Sequence, residues 1–277
     1  MKATKCTRIR KKNDMARVKV NILGVNIAKM NMPQVIQAVK QAIQKKQKLF
    51  VVVPNVFVVT KCNRDEGYRK IINSADIALA DGMPLVWASY FLGQYTGGRV
   101  CGPDFFSKFN MIAEEEGYSS YYLGGGPGGS EKVAENLKRR HPSLKIAGNF
   151  SPPLGEISSR LSDEIIERIN AAKPDILWVG LGSPRQERWI HRYFYRLRVI
   201  VAVGVGAAFD YETGKKRRGP RWMQKVGIEW LYRILQNPAR FWNKRCYTYL
   251  WEFILPIFIQ VLKKHMLLLK DRGIDGN

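Results

Sequence analysis

Ile176-Leu177-Trp178-Val179-Gly180-Leu181-Gly182-Ser183-Pro184-Arg185-Gln186-Glu187 runs from an apolar segment through a glycine-rich loop into a polar helix start. A short apolar run closed by glycine and proline reads as a buried strand, and the amphipathic stretch 185–197 behind it reads as a helix. The same unit recurs along the chain. Strands are expected at 49–53, 77–80, 120–123, 144–147, 176–180 and 199–203. Helical patterns fall at 33–46, 65–73, 84–92, 104–116, 130–140, 157–171 and 185–197. Alternation at this spacing builds βαβ units, so the fold class is α/β with a mainly parallel sheet and helices on both faces. Such sheets bind ligands at the carboxyl ends of their strands, and the loops there are where chemistry is expected.

The pattern changes at Tyr211. Beyond it no strand pattern is found, and Lys215, Lys216, Arg217, Arg218, Arg221, Lys225, Arg233, Arg240, Lys244 and Arg245 crowd together with Trp222, Trp230, Trp242 and Trp251. Residues 253–262 are apolar but interrupted by Pro256, too short for the roughly 20 residues a membrane-spanning helix needs. Three parts are therefore expected: a basic, disordered extension at 1–17, a core at 18–210, and a helical basic C-terminal appendage at 211–277. Two readings fit the appendage. Its helices could pack back on the core with a solvated basic face, or lie on an anionic membrane surface; charge and tryptophan together favour the membrane. An appendage of this kind also makes a homo-oligomer an expectation.

Forty-six Lys and Arg against 23 Asp and Glu leave a formal net charge of +23. A field of that sign attracts phosphate, whether in nucleic acid, anionic lipid or a diphosphate substrate. Cys6, Cys62, Cys101 and Cys246 are scattered, and His141, His191 and His265 stand far apart. No metal site is expected from them, and reduced thiols point to a cytoplasmic setting. The basic N-terminus has no apolar segment behind it, unlike a secretory leader.

Several strand-end loops carry functional groups. Gly124, Gly125 and Gly126 open a loop that leads into a helix at Ser130, where close backbone approach and free amides favour a phosphate or sugar; a tight structural turn is the alternative. Asp81, in Ala80-Asp81-Gly82-Met83-Pro84, is placed to accept a proton or to cap the next helix. Arg185, Gln186 and Glu187 sit on the first turn of a helix and are read as ligand contacts, with a solvated helix start as the plainer role. Val53-Pro54-Asn55 offers an amide and Gly204-Val205-Gly206-Ala207-Ala208-Phe209-Asp210 a second carboxylate, Asp210. Arg218 and Arg221, in the basic burst, are candidates for an anionic substrate.

Other chemistries lack their signatures. Gly124, Gly126 and Gly129 match GxGxxG, but the next strand ends at Asn149 without the carboxylate that holds a ribose, which disfavours an NAD(P) oxidoreductase. A nucleic-acid-binding protein would interleave basic and stacking residues along a groove, whereas here the basic residues gather at the two chain ends. No GxSxG, P-loop or HExxH motif occurs, nor the Asp-x-Asp pair with which many sugar transferases hold a metal. No cofactor is expected.

Taken together the loops resemble the WecG/TagA/CpsF glycosyltransferases of bacterial surface-polysaccharide synthesis. The likeness runs through Pro54-Asn55, Ala75-Asp76, Asp81-Gly82, Arg99-Val100-Cys101-Gly102-Pro103-Asp104, the glycine loop, Lys173-Pro174-Asp175, the stretch from Gly180 to Trp189 and that from Gly204 to Asp210. It continues through Lys216-Arg217-Arg218-Gly219-Pro220 and Gly227-Ile228-Glu229-Trp230-Leu231-Tyr232-Arg233. The resemblance implies a Rossmann-like core and an inverting, metal-independent transfer of a sugar such as N-acetylmannosamine from a UDP-sugar to an undecaprenyl-diphosphate-linked sugar. It implies Asp81 as general base, with Asn55, Arg99 and Gln186 completing the catalytic set. It also implies an enzyme peripheral on the inner face of the cell membrane, docked by the basic appendage. Many members carry a threonine before the Pro-Asn pair; this chain has Val53, so a hydroxyl that would help place the acceptor is missing.

Overall fold

The computed structural model describes residues 18–220, 222, 223, 229, 232 and 250–271. The expected disordered extension at 1–17 and most of the basic burst, Arg221 included, lie outside the described residues. The chain opens with a hairpin, β1 (Lys19–Ile22) and β2 (Val25–Ala28), paired antiparallel. Its turn residues Leu23 and Gly24 both have positive φ, 49° and 84°, the geometry that matches the twist of a two-residue hairpin. Helix α1 (Met32–Gln44) follows, held at its start by a capping box between Asn31 and Gln34.

Six parallel strands then form the main sheet: β3 (Leu49–Val52), β4 (Ile77–Ala78), β5 (Ser119–Gly124), β6 (Lys145–Phe150), β7 (Ile176–Gly180) and β8 (Val201–Gly204), in the order β4-β3-β8-β7-β5-β6. Between them run α2 (Val56–Arg64), α3 (Glu66–Ser74), α4 (Met83–Phe91), α5 (Gly102–Glu116), α6 (Gly129–Arg140), α7 (Ser159–Ala172), α8 (Arg185–Tyr193) and, after β8, α9 (Ala208–Glu212). Both faces of the sheet are covered. Leu49, Val51, Trp178 and Val203 pack in one hydrophobic cluster with α1, α5 and α6, while Phe50, Val52, Val179 and Ala202 pack in another with α2, α3, α7 and α8. Burial on both sides is why these strands are continuous apolar runs rather than alternating ones.

Two acidic residues pin the amino ends of the strands. The Phe50 amide donates to the Asp76 carboxylate at 2.8 Å, and the Ser119 amide and hydroxyl both donate to Asp175 at 2.8 Å. Ala75-Asp76 and Lys173-Pro174-Asp175 thus hold strand register at the end of the sheet opposite the loops that carry the site.

The six strands fall where the sequence places them, but three features differ from it, one being the short helix α9 across part of the expected loop 204–210. The β1–β2 hairpin adds a second sheet, and Val56–Arg64 is a helix although its first residues are β-branched. The Asn55 side chain caps this helix by accepting from the Val58 amide at 3.1 Å, and that cap with burial of Val56, Val58 and Val59 overrides local propensity.

After the basic burst a π-helical turn (Leu250–Ile254) leads into α10 (Leu255–Asp271), with Pro256 in the first helical turn, where its missing N–H is tolerated. One face of this segment packs back on the domain. Phe253 and Ile257 are buried in the cluster of α2 and α3. Gln260 bridges the hairpin, donating to the Asn21 carbonyl at 2.9 Å and accepting from the Leu23 amide at 3.1 Å. Lys264 donates to the Leu92 carbonyl at the end of α4. The opposite face, with Leu255, Phe258, Ile259, Leu262 and Met266, is exposed.

Candidate active site

The loops that follow β3, β4, β5, β7 and β8 meet at the carboxyl end of the sheet. Backbone pairing continues past the strands and draws the loops after β3 and β4 together with the segment that precedes α5. The Leu79 amide donates to the Val52 carbonyl and the Asp81 amide to the Pro54 carbonyl, each at 2.9 Å. The Val100 amide donates to the Ala80 carbonyl, also at 2.9 Å. Asn55, Asp81 and Arg99 therefore stand on three adjacent extended segments. Gly82, with φ 103° and ψ 145°, takes a conformation open only to glycine, which turns the chain from Asp81 directly into α4. Asp81 is half-buried and lies near the Cys101 thiol, whose pKa is pushed up first by burial and then by the Asp81 and Asp104 charges.

Beside Asp81 lies an ion cluster of two cations and two anions. Arg99 reaches Asp104 at 3.3 Å and Glu229 at 3.8 Å. Arg218 pairs with Asp104, and with Glu229 at 3.3 Å. Burial opposes the charge of Arg218, but hydrogen bonds to Asp104 and Glu229 outweigh it and raise its pKa. Glu229 is only 5% exposed, so removing either guanidinium would leave a buried carboxylate with one cation fewer beside it. The cluster closes the basic segment onto the start of α5.

Gln186 and Glu187 turn inward. The Gln186 side-chain oxygen accepts from the Gly206 amide at 3.0 Å and the Gly182 amide at 3.2 Å, tying the loop after β8 to the loop after β7. Glu187 accepts from Ser183 Oγ and Gln186 Nε2, both at 2.7 Å, and from the Tyr68 hydroxyl at 3.0 Å. Burial pushes its pKa up, against the pull of those hydrogen bonds. Of the three neighbours only Arg185 is exposed, and its guanidinium donates to the Gly155 and Leu181 carbonyls at 2.7 and 2.8 Å.

The glycine loop is packed against β7. A Cβ on Gly124 would lie 2.6 Å from the Gly180 carbonyl carbon, and the Gly125 amide donates to the Gly180 carbonyl at 3.1 Å. Gly126 has φ 70° and its carbonyl accepts from the Gly129 amide at 2.8 Å. The Ser130 amide donates to Ser151 Oγ at 2.9 Å, and Ser151 donates to Glu131 at 2.5 Å. The start of α6 thus already carries protein acceptors and a carboxylate. Lys215 donates to the Gly125 carbonyl at 3.0 Å, and Asp210 pairs with Lys216. Among the described residues no group of His, Cys, Asp and Glu is placed to hold a metal ion.

The structure brings together Asn55, Asp81, Arg99 and Arg218, and places Gln186 and Glu187 behind the loops as their framework. Asp104 and Glu229 join the site as further members; Asp104 closes the Arg99 motif, a usable signal in the sequence, whereas nothing local marks Glu229 as a partner of Arg99. A carboxylate beside a guanidinium pair can remove a proton and stabilise an anionic leaving group.

Residues 20–266 match the glycosyl transferase WecG/TagA/CpsF family. Among curated relatives, a protein of Bacillus spizizenii is 30% identical over 216 residues, covering 78% of this chain and 79% of that protein. Two proteins from strains of Staphylococcus aureus are 32% identical over 225 residues (80% and 86%) and 33% identical over 220 residues (78% and 84%). All three are named N-acetylglucosaminyldiphosphoundecaprenol N-acetyl-beta-D-mannosaminyltransferase.

Proposed function

The chain belongs to the glycosyl transferase WecG/TagA/CpsF family and is a glycosyltransferase, and from that premise we propose that it moves N-acetylmannosamine or a close analogue from a UDP-sugar to an undecaprenyl-diphosphate-linked sugar. The acceptor in this proposal is taken from the names of the relatives. The reaction is a single displacement with inversion. Asp81 takes the proton of the acceptor hydroxyl as its oxygen attacks the anomeric carbon. The bond from that carbon to the diphosphate breaks, and its electron pair leaves with UDP. Arg99 and Arg218 stabilise the departing charge, so no divalent metal is required. Asn55 orients a substrate hydroxyl, and Gln186 keeps the surrounding loops in place.

The observation that carries this reading is the 2.9 Å bond from the Asp81 amide to the Pro54 carbonyl. It anchors a half-buried carboxylate at a strand end, next to Asn55 and the Arg99–Arg218 cluster. Base catalysis by such a group contributes about 10²- to 10⁴-fold. The enzyme works at the inner membrane surface through its appendage, a reading supported by the exposed apolar face of α10 and the net charge of +23. No helix among the described residues is long and apolar enough to cross a membrane.

Incubation with a panel of UDP-sugars and a polyprenyl-diphosphate-linked N-acetylglucosamine, with and without EDTA, tests the proposal by product mass. One added hexosamine, unaffected by EDTA, is expected. Product formed only with a divalent metal sinks the metal-independent step, and no product with any UDP-sugar sinks the donor.

A further inference from the structure

Helix α4 buries Leu85, Val86, Ala88 and Ser89 against the domain and turns three large aromatic residues outward. Trp87 is 43% exposed, Tyr90 70% and Phe91 62%, and Tyr95 just beyond the helix is 54% exposed. Positions 87, 90 and 91 share one helix face, so this is a ridge and not scattered exposure. The end of α4 is joined to α10 by the Lys264 amine, which donates to the Leu92 carbonyl. On α10 itself Ile257, Gln260 and Lys264 face the domain, as does Phe253 in the turn before it, and Leu255, Phe258, Leu262 and Met266 lie on the opposite side. Two helices in contact at one corner thus each present large apolar side chains to solvent, beyond the isolated exposed residues a soluble surface normally carries.

We propose that α4 is a second lipid-contacting element, with Trp87, Tyr90 and Phe91 entering the same anionic monolayer as the outer face of α10. This rests on the membrane reading above and extends it to a part of the chain outside the basic appendage. Tryptophan and tyrosine suit the boundary between headgroups and acyl chains, because each joins an apolar ring to a polar tip. Charge complementarity selects lipid over a neutral apolar partner: exposed Lys263 lies on α10, and the whole chain carries +23. The placement has a catalytic meaning. Helix α4 begins at the residue after Gly82, so the ridge and Asp81 belong to one continuous segment. Seating the ridge in the monolayer would set the height of Asp81 above the headgroups, where the diphosphate of a polyprenyl acceptor lies.

The test uses the full chain and co-sedimentation with phosphatidylglycerol vesicles, with phosphatidylcholine vesicles as the neutral control. Two double variants are compared, Tyr90→Ser with Phe91→Ser on α4, and Phe258→Ser with Leu262→Ser on α10. All four positions are more than 40% exposed, and circular dichroism checks that each variant folds. The α4 pair is expected to weaken binding to the anionic vesicles about tenfold, while turnover on a short-chain, water-soluble acceptor stays at the parent level. If the α10 pair weakens binding and the α4 pair does not, the inference about α4 is overturned and the membrane reading stands. If neither pair changes binding, both fall. A shift of the α4 variant from dimer to monomer with unchanged vesicle binding would make the ridge a contact between copies of the chain, which also overturns it.

Discussion

Arg218 and Glu229 meet through two hydrogen bonds, Nη2 to Oε2 at 3.3 Å and Nε to Oε1 at 3.5 Å. Glu229 also lies 3.8 Å from Arg99. One buried carboxylate therefore faces both guanidiniums proposed to stabilise the leaving diphosphate. Glu229→Gln keeps the shape but removes the charge, leaving Asp104 to face two cations. The unfolding free energy should fall by about 1–3 kcal/mol, and the donor KM should rise more than kcat falls. Urea titration and initial rates check this; an unchanged donor KM would remove Glu229 from any role in positioning the arginines.

Asp81→Asn preserves the backbone bond to Pro54 and the volume of the side chain, while removing the proposed base. Turnover should drop about 10²- to 10⁴-fold, with UDP still raising the melting temperature as in the parent. Near-parental turnover would disqualify Asp81.

Gln186 serves two amides from two loops, so Gln186→Ala strands the Gly182 and Gly206 N–H groups. A loss of about 1–3 kcal/mol for each amide left dry is the expectation, together with slower turnover from loosened loops. A variant as stable and active as the parent would show that water or a neighbour replaces the amide without penalty.

Glu187 gives a pH dependence of definite sign. Burial raises its pKa in the folded state, so the folded chain binds this proton more tightly than the unfolded chain. The resulting stability is complete below the unfolded value of roughly 4.3 and is lost as pH rises through the folded value. Wild type and Glu187→Gln should therefore differ by an unfolding free energy that changes with pH across that window. Parallel stability curves from pH 4 to pH 8 would contradict the raised pKa.

Two glycines of one loop should respond differently to alanine. Gly124 has φ 122° and a Cβ there would lie 2.6 Å from backbone, so Gly124→Ala should cost well over 2 kcal/mol or prevent folding. Gly128 has φ 68° with nothing within 4 Å, and Gly128→Ala should cost only the conformational penalty, about 1–2 kcal/mol. Equal losses at both sites would argue against the close approach of the glycine loop to β7.

The sheet was legible because burial on both faces leaves continuous apolar runs, as in Ile176–Gly180. The hairpin is not legible in the same way, although Val20, Ile22, Val25 and Ile27 alternate around a Leu-Gly turn; two four-residue strands carry little weight against βαβ periodicity. Helix α2 is hidden in the sequence because its valines favour strand and only the Asn55 cap and tertiary burial decide otherwise. In the site, residue types at strand ends pointed to Asp81 and Asn55. The inward turn of Glu187 was not legible, since it is fixed by Tyr68, 119 residues away. The tie between Asp104 and Arg218 spans 114 residues, and no local pattern encodes such a pair.

Gln260 clasps the hairpin turn across 237 residues at Leu23 and 239 at Asn21. On a ribosome the two sides of that clasp are made at opposite ends of synthesis. The hairpin emerges before any strand of the main sheet, yet its turn gains this partner only after the last strand and the basic burst have been translated. Closure of so long a loop comes late in folding. The exposed apolar face of α10 is then set in place last, once the loops of the candidate site have already formed.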